Sequence, residues 1–151
     1  MKFPIIAIED ESFDIKEPSV LYRDKLTIQV KNLKKHFLQY TYCDSNGDLH
    51  KFVDFKVSDE DPKLGCNPFS YYYNFKIVIL EFGKTGNKLT ENDLRRTIRK
   101  NADKLHFVKT KQDKTELFIA LDAAKTFREL IECIYAAEWT EEEDQLYEEK
   151  A

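Results

Sequence analysis

The sequence predicts an α+β fold: a mainly antiparallel β-sheet with two or three helices from the C-terminal half packed on one side. Three observations carry this. Asn46-Gly47 sits between two runs of alternating apolar residues. The stretch from Phe69 to Phe82 alternates in its first half and is apolar on both faces in its second. From Thr90 onward, apolar residues recur at helical spacing. Strands first and helices later is the order of an α+β domain.

The elements follow in chain order. Phe3 to Ile8 reads as a first strand, Glu9 to Pro18 as an acidic connection, and Leu26 to Val30 as a second strand. Asn46-Gly47 suits a type I′ turn, in which both central residues take positive φ. Pairing outward from it sets Ser45 opposite Asp48, Tyr42 opposite Lys51 and Tyr40 opposite Val53. Leu38, Tyr40, Tyr42, Val53, Phe55 and Val57 then share one face, with Phe37 and Phe52 as exceptions on the other. Ser58 to Pro68 is a loop broken by Pro62, Gly65 and Pro68. The apolar run Ile77 to Leu80 marks a central strand covered on both sides, and Gly83 to Asn87 reads as a turn.

Thr90 with Asp93 opens a helix to about Asp103 that buries Leu94, Ile98 and Ala102. Leu105–Lys109 and Glu116–Leu121 are expected to pair as a second hairpin around Gln112-Asp113, with Asp122 capping the next helix. Phe127, Leu130, Ile131 and Ile134 lie on one stripe of that helix. Thr140 with Glu143 opens a short acidic helix.

The 151 residues fit a single domain, 1–151, and 42% apolar content suffices for a core without disulfides or metal. Net charge is −4, but Glu138 to Ala151 carries seven acids against one base, so the rest is slightly basic. That balance argues against a duplex DNA binder, which needs clustered Lys and Arg. No stretch is long enough to span a membrane, and the N-terminal apolar run is too short for a signal peptide. Cys43, Cys66 and Cys133 are odd in number and dispersed, which points to free thiols and a cytoplasmic setting.

The motifs that could carry chemistry are incomplete. Gly83-Lys84-Thr85 has the end of a phosphate-binding loop, but position 78, where a glycine is needed, holds Val. Asp44 to Asp48 fails as a calcium loop, since its sixth and twelfth positions hold Leu49 and Phe55. In the hairpin register above, Cys43 falls opposite His50, the closeness that a thiolate–imidazole pair or half a zinc site needs. Two further ligands are missing, so a passive pair is expected and no metal or cofactor is assigned. Arg95, Arg96, Arg99 and Lys100, extended by Lys104, form a basic helix face without a companion nucleic-acid motif.

These readings lead to a non-catalytic module that binds another protein with a basic surface. The expected contact residues are the acids Asp59, Glu60, Asp61, Glu141, Glu142 and Asp144, with Tyr72 and Trp139 as aromatic anchors. In size, acidity and lack of a catalytic motif the chain is similar to small bacterial immunity proteins, which neutralise a cognate toxin; no motif carries that likeness. Two rivals stand beside it. One is an enzyme or ligand sensor built from dispersed residues, Cys43 and His50 among them. The other is nucleic-acid binding through Arg95, Arg96 and Arg99.

Overall fold

Val20–Leu21 and Lys25–Gln29 are three residues apart in sequence yet form opposite edges of one six-stranded sheet. A flat sheet of six strands would hold its edges about 24 Å apart, whereas the short link between these two spans at most about 14 Å. The sheet must therefore curl, and Leu80 N–H donates to Asp24 O at 2.8 Å where the link crosses. The computed structural model describes residues 1–9, 20–60, 75–105 and 107–135. Its strands are β1 (Ile5–Ile8), β2 (Val20–Leu21), β3 (Lys25–Gln29), β4 (Thr41–Cys43), β5 (Asp48–Val57) and β6 (Phe75–Lys88). Their spatial order is β2-β1-β4-β5-β6-β3, and every neighbouring pair is antiparallel.

The helices are α1 (Leu33–Phe37), α2 (Glu91–Lys100), α3 (Lys111–Ala123) and α4 (Phe127–Tyr135), with a 3₁₀ turn at Ala102–Lys104. The expected α+β architecture is what the chain adopts. Residues of alternating parity face opposite sides of the sheet. On the outer face Ile6, Cys43 and Leu49 meet Leu94 and Ile98 of α2, Leu117 and Leu121 of α3, and Leu130, Ile131 and Ile134 of α4. On the inner face Ile5, Ala7, Tyr42, Phe52, Val78 and Leu80 close around Leu33 and Phe37 of α1. Aromatic contacts fill that side: Phe37 stacks on Phe52 at 5.4 Å and Tyr42 meets Phe82 edge-on at 5.1 Å. Burial, and then Tyr40, push the Tyr42 hydroxyl above its ordinary pKa, so it stays a neutral donor to Phe37 O.

Each of the three long helices starts on a threonine followed three residues later by an acid. Asp93 N–H donates to Thr90 Oγ1 at 3.1 Å, and Thr90 N–H returns a bond to Asp93 Oδ2. Thr110 and Asp113 repeat this reciprocal cap on α3. At α4, Glu129 N–H donates to Thr126 Oγ1 and Glu129 Oε2 accepts from Lys125 N–H. These caps satisfy N–H groups that the helix itself leaves open.

Several expectations are corrected. The segment from Thr110 to Ala123 is α3, because its capping box outweighs the strand-like alternation that suggested a hairpin. Asp122 lies inside α3 rather than capping α4. Gly83 to Asn87 continues β6, with Gly86 at φ +85° accommodating extra residues where β6 bulges against β5. Helix α1 precedes the first hairpin and ends on Phe37 and Leu38, two residues expected on the hairpin strand. The expected Thr140 helix lies outside the described residues.

Candidate functional site

Hairpin β4–β5 turns one residue away from the expected register. Asp44 N–H donates to Asp48 O and Gly47 N–H to Asp44 O, both at 3.0 Å, and Gly47 alone in the loop takes positive φ, +83°. This is a three-residue loop closed by a left-handed glycine, not a two-residue I′ turn. The slip pairs Tyr42 with His50 and Cys43 with Leu49. Cys43 and His50 therefore lie on opposite faces of the sheet, and Leu38 and Val53 leave the apolar face assigned to them while His50 and Phe52 join it.

The same slip brings His50 to Asp44. His50 Nε2 stands 2.9 Å from Asp44 Oδ2, and the two side chains are only 3% and 1% exposed. Asp44 Oδ1 also accepts from the backbone N–H of Asn46 at 2.9 Å and of Asp48 at 3.0 Å, and Oδ2 accepts from Lys2 N–H at 3.3 Å. Burial acts to raise the Asp44 pKa, but these bonds, His50 first, together outweigh it and hold the carboxyl below its ordinary value. An ionised Asp44 places the proton on Nε2 of the ring. Ser45 extends the knot, its N–H donating to Lys2 O at 2.8 Å and its hydroxyl to Pro4 O at 2.7 Å. An aspartate–histidine pair orients imidazole in many hydrolytic sites. Here the carboxylate has four donors and the ring is sealed in the inner face, so the pair ties the N-terminus to the hairpin.

Cys43 is no more reactive. Burial, followed by the charges of Asp44 and Asp48, pushes its thiol up to about 12, and the thiolate is the nucleophilic form. We expect Cys43 to remain unmodified when the native protein meets a thiol reagent at neutral pH, and to react once denaturant is added. Peptide mapping by mass spectrometry reads this directly; rapid labelling of native Cys43 would revive the enzyme reading.

The basic face of α2 is divided between internal and external roles. Arg95 donates from Nε to Leu121 O at 2.9 Å and from Nη2 to Ala124 O at 2.6 Å, closing the C-terminal carbonyls of α3. Arg99 pairs with Asp122 at 3.2 Å and lies 4.4 Å from the Phe118 ring centre. Arg96, Lys100 and Lys104 remain exposed.

Of the expected contact acids, Asp59 and Glu60 are described. Both are exposed just beyond the end of β5, and Glu60 pairs with Lys25 at 2.7 Å. Asp61, Tyr72, Trp139, Glu141, Glu142 and Asp144 lie outside the described residues. What the sequence did not mark is the strip of outer face leading to Asp59. Val53 is the extra residue of a bulge between Phe52 and Asp54, and it is 62% exposed; Ile79 on β6 is 38% exposed. The ion pair Lys56–Glu81, at 3.3 Å, lies beside them. Among the described residues, the helical layer packs on Ile6, Cys43 and Leu49 and leaves this half of the face open. Alternation in the expected register assigned Val53 to the core; the one-residue slip of the hairpin turns it outward. No protein-family model matches the chain, and comparison with curated proteins and with solved structures gives no match.

Proposed function

We propose that this chain is a non-catalytic module that binds a partner protein through the open half of its outer sheet face. The observation that carries the reading is the exposure of Val53 and Ile79, side by side with charged residues, on paired central strands that lead to the acids Asp59 and Glu60. Apolar centres with a polar rim are what protein interfaces use. The chemistry of the partner is a basic, partly apolar surface. Acid-rich segments elsewhere in the chain, above all the net −6 run from Glu138 to Ala151, support the same preference. Neutralisation of a basic toxin by a small immunity protein is the narrower form of this reading.

The test is capture from an extract of the native source, at low and at high salt, with wild type and two double variants as bait. Val53→Glu with Ile79→Glu is expected to weaken retention at least about tenfold, since buried aliphatic anchors each contribute roughly 1.5–3 kcal/mol. Asp59→Lys with Glu60→Lys is expected to weaken it at low salt and to matter less at high salt. Both variants should keep the wild-type unfolding midpoint. A partner held equally by all three baits, or no stoichiometric partner at low salt, rejects the proposal.

A further inference from the structure

The last turn of α2 does not close onto the sheet. Thr97, Lys100 and Asn101 share one side of the helix and face the Ile8–Thr41 pair of β1 and β4 across a cleft of about 420 Å³. Leu49 and Leu89 complete an apolar floor with Ile8. Small-molecule sites commonly enclose roughly 300–1,000 Å³, mostly apolar with a few converging polar groups.

Three residues lining this cleft carry a polar group with no partner among the described residues. Asn101 is only 5% exposed, and its Nδ2 donates to Thr97 O at 2.9 Å. That bond fixes the amide orientation, so Oδ1 is the free end, and it accepts no hydrogen bond among the described residues. Every fully shielded side-chain oxygen or nitrogen there has a partner, so Asn101 Oδ1 must reach solvent, and Asn101 is one of the residues that line the cleft. Thr41 Oγ1 likewise makes no hydrogen bond among the described residues. Lys100 forms no ion pair there, although Lys84, Lys88 and Lys114 each have an acid within 3.5 Å.

We infer that this cleft binds a small hydroxy-carboxylate. Its apolar body rests on Ile8, Leu49 and Leu89, its carboxylate meets Lys100 and Thr41, and its hydroxyl donates to Asn101 Oδ1. A monoanion fits better than a phosphate. One ammonium and one hydroxyl are too few donors for a dianion with three strong acceptor oxygens, and the negative end of the α2 dipole opposes a second charge. Two carbonyls of that end are already engaged, Thr97 O by Asn101 Nδ2 and Ile98 O by Asn101 N–H at 3.2 Å, which lessens the opposition to a single charge.

The test uses mandelate, titrated into isotope-labelled full-length protein and followed by amide chemical shifts. Saturable shifts at Thr41, Leu49, Leu89 and Asn101 are expected. Phenylacetate, which lacks the hydroxyl, and phenylethanediol, which lacks the charge, should each bind about tenfold more weakly. Lys100→Met should weaken mandelate about tenfold and leave phenylethanediol unchanged, while Lys104→Met should change neither. No saturable shift at these four amides, or equal mandelate affinity in Lys100→Met and wild type, overturns the assignment.

Discussion

Replacing Asp44 with alanine lowers the stability of the fold by about 3–5 kcal/mol, the range for removing one partner of a buried charged pair. The substitution orphans His50 Nε2 and the N–H groups of Asn46, Asp48 and Lys2 together. It also loosens the attachment of the N-terminal strand to the hairpin. Urea unfolding measures the loss. Asp44→Asn should cost less, since an amide oxygen still accepts from the turn. The Asp44 contribution has a definite pH dependence. Its carboxyl is held below the ordinary value, so as pH falls the unfolded chain takes up the proton first. The contribution is complete above the unfolded carboxylate value of about 3.9 and is lost as pH falls through the lower, folded value. The stability gap between wild type and Asp44→Asn is therefore widest near neutral pH and narrows in acid. A gap that stays constant across that range would mean that the charge of Asp44 does not stabilise the fold.

Gly47→Ala is the second large effect, about 2–5 kcal/mol. At φ +83° a side chain costs about 1–2 kcal/mol by itself. A Cβ there would stand 2.6 Å from Leu89 O and 2.5 Å from Phe127 Cζ, and overpacking adds about 1–3 kcal/mol. The ring can turn, but Leu89 is fixed by its N–H bond to Gly47 O at 2.8 Å. Gly86 provides the control. It has nearly the same φ, +85°, with nothing within 4 Å of an added Cβ, so Gly86→Ala should cost only the backbone strain of about 1–2 kcal/mol. Equal losses at the two glycines in urea unfolding would contradict the close approach of the turn to Leu89.

Local signals in the sequence located much of this fold. Asn46-Gly47 marked the first hairpin, Thr90 and Asp93 the start of α2, and Phe127, Leu130, Ile131 and Ile134 the buried stripe of α4. The errors arose where two local signals competed. The Asn-Gly pair fits both a two-residue and a three-residue loop, and the choice shifts every facing residue by one. That single residue separates a Cys43–His50 pair from the Asp44–His50 pair that forms. Alternation in Glu116 to Leu121 imitated a strand, although Thr110-Lys111-Gln112-Asp113 carried the same helix start as Thr90 to Asp93. The open strip at Val53 and Ile79 could not be read from the chain, because the hairpin register sets which way Val53 points and tertiary packing sets where the helical layer ends. The free amide oxygen of Asn101 depends in the same way on contacts that sequence spacing does not specify.

In this view of the molecule the buried polar groups hold the fold and the open sheet face meets the partner. The most direct measurement is a paired one, unfolding stability and affinity for the captured partner, on Asp44→Asn and Ile79→Glu. Asp44→Asn is expected to lose stability while its folded molecules bind with wild-type affinity; Ile79→Glu is expected to keep its stability and lose at least about tenfold in affinity. Folded Asp44→Asn that no longer binds, together with Ile79→Glu that binds as wild type does, would contradict this division and place function at the buried pair.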